Sequence, residues 1–103
     1  MIAVLVVGGT GVEAAEPPSS VEVLHARDAD EAVEKLGRNR RIDAVLVLSD
    51  AAEAVAAIRE DLLAPPPIFL APEAPAIEGA RRLDARGAAA LLEAVARELA
   101  GGA

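Results

Sequence analysis

Apolar residues follow two rhythms along this chain of 103 residues. Three stretches are apolar almost without interruption: IAVLVVG at 2–8, IDAVLVL at 42–48 and IFLA at 68–71. The first two are rich in β-branched residues. Such runs fit strands buried on both faces, as in a parallel sheet with helices above and below. VEVLH at 21–25 reads as a further strand, and 81–83 as a short last one. Between the strands the period changes. Ala29, Ala32, Val33 and Leu36 lie on one helical face. So do Ala51, Ala54, Val55, Ile58 and Leu62, and later Ala88, Leu91, Leu92, Val95 and Leu99. This spacing predicts three amphipathic helices.

Local signals set the ends of these elements. Asp28 with Glu31, and Asp50 with Glu53, both match a capping box, in which a side-chain oxygen receives an amide of the first helical turn. Asp50 therefore reads as the N-cap of the second helix. Gly37 is a natural stop for the first helix, 64–67 (APPP) stops the second, and Gly101 with Gly102 stops the last. GTGVEAAEPPSS at 9–20 and PEAPAIEGA at 72–80 are too rich in Pro for full helices. Strands alternating with helices imply parallel pairing through right-handed crossovers, hence a doubly wound sheet. Such a sheet needs cover on both faces. With two crossovers reduced, apolar surface on strands one, three and four is expected to lack intramolecular cover. Either self-association or a partner closes it, or the segments 9–20 and 72–80 fold back as lids.

Composition narrows the function. Hydrophobic residues make up 53%, much of it Ala, and the only aromatic side chain is Phe69. No Tyr or Trp is available to stack on bases or sugars. Net charge is −7, which repels phosphate backbones, so no nucleic-acid partner is expected. The basic cluster Arg38, Arg40 and Arg41 falls in a helix-to-strand loop and reads as solvated. With no Cys, neither disulfides nor thiolate metal sites can form, and the one His, His25, cannot build a zinc site alone. No metal or other cofactor is expected. The opening run is too short to span a bilayer and has no signal-peptide pattern. A cytoplasmic chain with no membrane partner follows as the expectation. The Ala, Arg, Gly and Pro bias, with Lys35 the single lysine, fits a GC-rich bacterial genome.

Candidate chemistry is sparse. Gly8, Gly9, Thr10 and Gly11 follow the first strand as a phosphate-binding loop does, and Ser49 and Asp50 would lie beside them at the strand ends. The segment after Gly11, VEAAEPP, breaks before a long helix and brings Glu13 and Glu16 near any bound phosphate. There is no Lys-Ser/Thr pair of a Walker loop. Ser19, Ser20 and Ser49 are the conceivable partners of His25, and none sits in a nucleophile elbow. No enzymatic activity is expected.

The segment 21–48, VEVLHARDADEAVEKLGRNRRIDAVLVL, resembles the middle of a response-regulator receiver domain. AIREDLLAPPPIFLA resembles that family's next helix, turn and fourth strand, and GAAALLEAVARELA its last helix. The resemblance covers most of the chain. It implies one receiver-like, flavodoxin-like three-layer α/β domain over 1–103, with about five parallel strands in the order 2-1-3-4-5 and reduced first and fourth helices. It also implies where a phosphorylation site would lie. The acidic pair after strand one is replaced by Gly8 and Gly9. The phosphoacceptor, counted five residues from Asp43, falls on Leu48. The hydroxyl after strand four falls near Leu70 or Ala71, and the Lys after strand five near Asp84. Only a slip of two residues would make Asp50 the acceptor. The resemblance thus implies a non-catalytic pseudo-receiver in bacterial two-component signalling that works by protein contact, with a protein partner or as a homodimer. The last helix and the loop before it, with Arg81, Arg82, Arg86 and Arg97, would form its surface. Two alternatives stay open: a small-ligand or nucleotide domain built on Gly8, Gly9, Thr10, Gly11, Ser49 and Asp50, and an atypical receiver phosphorylated on Asp50.

Overall fold

A computed structural model describes residues 2–8, 21–38, 41–48, 50–62, 66–72, 74–85 and 87–101. The elements are β1 (Ile2–Val7), β2 (Val21–Ala26), α1 (Ala29–Arg38), β3 (Ala44–Val47), α2 (Ala51–Asp61), β4 (Ile68–Leu70), β5 (Ala80–Arg82) and α3 (Ala88–Gly101). Every strand pairing is parallel, in the order β2-β1-β3-β4-β5. Strand order reverses between β1 and β3, which makes this the flavodoxin-like α/β fold expected from the sequence.

The continuous apolar runs fall in the middle of the sheet because their side chains point alternately to two covered faces. Leu5, Val7, Val45, Val47, Ile68 and Leu70 meet Ala32 and Leu36 of α1 and Ala54, Val55 and Ile58 of α2. Val4, Val6, Ala44, Leu46 and Phe69 meet Leu91, Leu92 and Val95 of α3 on the other face. Burying each Val, Leu or Ile contributes about 1.5–3 kcal/mol. No polar or charged side chain is buried among the described residues.

The expectation of uncovered apolar strand surface is corrected. Val4, Val6, Ala44 and Leu46 have no exposure, and Phe69 only 4%. On the α1–α2 face the fourth crossover supplies its share of the cover without a helix among its described residues. Ala74, Ile77 and Ala80 fold back and pack against that core. The first crossover, 9–20, lies outside the described residues.

The two capping-box patterns have different outcomes. Asp28 caps α1: its Oδ1 accepts the Glu31 amide at 2.9 Å. The Glu31 carboxylate then receives the Arg27 amide and the Arg27 Nε, each at 3.2 Å, rather than the Asp28 amide of a full box. At α2 the expectation fails, because Asp50 makes no side-chain cap bond. Its backbone is left-handed, φ 50° and ψ 45°, whereas a capping side chain works from the extended region. Asp50 opens α2 through its main chain alone, its carbonyl accepting the Ala54 amide at 3.0 Å. Gly37 does not stop α1, which runs one residue further to Arg38.

Polar side chains also close strand ends. Asp43 begins the run into β3, and its Oδ2 accepts the Ala3 amide at 2.9 Å. The Asp43 amide returns a bond to the Ala3 carbonyl at 2.8 Å. At the opposite edge, the Ala26 carbonyl faces β1, where it accepts the Gly8 amide at 2.8 Å. In a parallel ladder the His25 carbonyl therefore faces outward. Lys35 of α1 donates its ammonium to that carbonyl.

Candidate functional site

In open α/β sheets, ligands bind beyond the carboxyl ends of the strands, where strand order reverses. The register brings the residues that follow β1, β3, β4 and β5 to that end. Leu48 follows β3 and donates its amide to Val7 at 2.9 Å. Ala71 follows β4 and donates to Val47 at 3.4 Å, and Leu83 follows β5 and donates to Leu70 at 2.8 Å. Gly8 is buried after β1 with φ 71°, a conformation that an L side chain rarely takes. The groups gathered there are a glycine, a half-buried Leu48, a buried Ala71 and an exposed Asp84.

Asp50 is exposed two residues after Leu48. It is the one non-glycine residue with positive φ among the described residues. Asp tolerates this region better than most side chains because its short carboxylate can bond locally. Of the six residues considered for a ligand site, Gly8 and Asp50 are described, while Gly9, Thr10, Gly11 and Ser49 lie outside the described residues. Among the described residues no three His, Cys, Asp or Glu side chains group as a metal site.

The arginine surface near α3 is divided by strand alternation. Arg81 turns to the α3 side and pairs with Glu98 at 2.9 Å. Arg82 turns the other way, and its Nη1 donates to the Ala74 carbonyl at 3.3 Å. It is thus tied to the fourth crossover and does not join Arg81. Arg97 is exposed on α3, and Arg86 lies outside the described residues. Between β4, β5 and the last turns of α3 is an open cleft of about 460 Å³. Phe69, Ala80 and Leu99 line its apolar side, and the Arg81–Glu98 pair its polar side. Sequence reading missed Glu98. Its spacing on α3 marks it as a solvated position, and only the sheet brings Arg81 to it.

Elsewhere on the surface, Arg38 pairs with Glu34 at 3.0 Å and Arg41 is exposed. His25 is half-buried at the end of edge strand β2. No helix among the described residues is long and apolar enough to cross a membrane.

These features define a flavodoxin-like α/β protein with an open cleft beside its last helix. No family model, curated protein or solved structure matches the chain.

Proposed function

We propose that this chain is a non-catalytic, receiver-like module that acts by protein contact in bacterial signal transduction. The observation that carries the reading is the set of groups at the carboxyl ends of the strands. Transfer of a phosphoryl group to a carboxylate needs a divalent cation to neutralise the phosphoryl oxygens, and carboxylates to hold that cation. Gly8 occupies the place of an acid, Leu48 that of the acceptor, Ala71 that of the hydroxyl and Asp84 that of the ammonium. A carboxylate in the last position would repel the phosphoryl group. The working surface is the α3–β5 side, where the Arg81–Glu98 pair borders the cleft and Arg97 projects from the helix. Its partner is a cytoplasmic protein or a second copy of the chain.

The test is incubation with acetyl phosphate, or beryllofluoride, in the presence of Mg²⁺. Intact mass and melting temperature are expected to stay unchanged. A mass gain of one phosphoryl group that D50N abolishes would instead establish the atypical receiver. Gly8, whose positive φ opens the GGTG segment, favours a second reading as a small-ligand domain. That reading predicts a melting temperature that rises with a nucleotide or phosphate ligand. Contact through α3 predicts that R97E weakens association measured by light scattering or by titration with a partner, without lowering stability.

A further inference from the structure

We propose that residues 74–79 form a latched strap, which lifts from the sheet while the rest of the fold stays intact. The inference is independent of the function proposed above. Ala74 and Ile77 of the strap pack against the core that holds Ile58 and Leu70, which have no exposure, and Ile68, which has 4%. Its own hold is slight by comparison. Ala74 and Ile77 are half-buried, and Pro75, Ala76, Glu78 and Gly79 are exposed. Its backbone bonds are local turns, Ala74 to Ala71 at 3.0 Å and Ala80 to Ile77 at 3.2 Å.

Among the described residues, two exposed guanidinium groups provide the other ties. Arg59 of α2 donates from Nη1 to the Glu78 carbonyl at 2.8 Å. Arg82 of β5 donates to the Ala74 carbonyl at 3.3 Å. Arg59 is the stronger latch, because its guanidinium also lies against Gly79, where an added Cβ would stand 2.9 Å from Nη1. Gly79, with φ 85°, makes the bend that carries the chain from strap to β5.

Local opening is governed by what holds the segment, not by what holds the domain. Lifting the strap gives up two half-buried apolar side chains and two surface hydrogen bonds. Global unfolding gives up both cores. The strap is therefore the low-stability unit of the α1–α2 face, and Arg59 sets how often it opens. When it lifts, the β4 side chains Ile68 and Leu70 become reachable.

The chain has no Cys, so single thiols can report this opening. I68C places a thiol on β4 beside the strap, and L5C places one in the same core on the central strand. The I68C thiol is expected to react with a small thiol reagent at least about 30-fold faster than the L5C thiol, because sub-global opening lies well below global unfolding. Adding R59Q should raise the I68C rate about tenfold, the effect of losing one hydrogen bond from a charged donor, and leave the L5C rate unchanged. Amide exchange at Ala74 and Ala80, compared with that in β1, gives the same contrast without a core substitution. Equal rates at the strap and in β1, or an R59Q effect shared by both, would overturn the proposal.

Discussion

Removing the Asp43 carboxylate should cost far more than its exposure suggests. Asp43 is exposed, and most exposed substitutions change stability by less than about 0.5 kcal/mol. Yet its Oδ2 is the acceptor for the Ala3 amide at 2.9 Å, across 40 residues of chain. Ala3 is 9% exposed, so water has little access to replace that acceptor. In D43A the amide is left without its partner. A hydrogen bond to a charged group is worth about 1.5–3 kcal/mol net, and we take about 2 kcal/mol here. Unfolding entropy near 2.1 cal/mol/K per residue makes this a fall of about 9 °C in Tm for a chain of this length. D43N keeps an acceptor oxygen but loses the charge, and should cost about half as much. The assay is urea and thermal unfolding by circular dichroism at neutral pH and fixed protein concentration. The urea midpoint should fall without a change in m, because the exposed area on unfolding is the same. A D43A loss below about 0.3 kcal/mol would refute the argument. So would a D43N loss as large as that of D43A, since the acceptor would then not be what matters.

Three further outcomes follow from local geometry. Left-handed backbone costs an L residue roughly 1–2 kcal/mol, so D50G should stabilise the protein in urea melts and D50A should destabilise it; a side-chain cap at Asp50 would make both substitutions unfavourable. Desolvation, the largest single influence, pushes the Glu31 carboxyl up, but the Arg27 backbone and side-chain hydrogen bonds, with the charges of Arg27 and Lys35, together outweigh it and lower the pKa below its ordinary 4.5. A depressed carboxyl contributes stability above its unfolded value and loses it as pH falls through its folded value, so the acid decline in urea midpoint should be shallower in E31Q below pH 4.5. G79A should cost about 1–2 kcal/mol from its positive φ, and most of that loss should persist in an R59A background, where the side-chain contact is gone.

The sheet was legible because its evidence is local and redundant. IAVLVV and AVLV can be satisfied only between two covered faces, and they form β1 and β3. Asp28 was legible for the same reason, since a cap spans three residues. The identical pattern at Asp50 and Glu53 misled because side-chain type does not report φ. The turn leaving β3 places Asp50 in the left-handed region, from which its carboxylate makes no cap. The composition of 72–80 excluded a helix but did not choose between open loop and cover. That choice depends on Ile77 reaching the core and on Arg59 reaching Glu78, 19 residues away. At the strand ends, the limits of the apolar runs were enough to show which residues follow β1, β3 and β4, and the register sets Gly8, Leu48 and Ala71 there. The arginine group was less legible: consecutive strand residues face opposite ways, so Arg81 and Arg82 were never one patch.

Lys35 is both the single lysine and the side chain that closes the outward carbonyl at the end of β2. Apart from the α-amino group, every amine-directed reagent must attack that one position. Acylation there would erase a positive charge, uncap an edge strand and invite strand-to-strand stacking between molecules. Dyes, biotin and solid supports are therefore better attached through an engineered thiol on the exposed side of α2, as at Ala56.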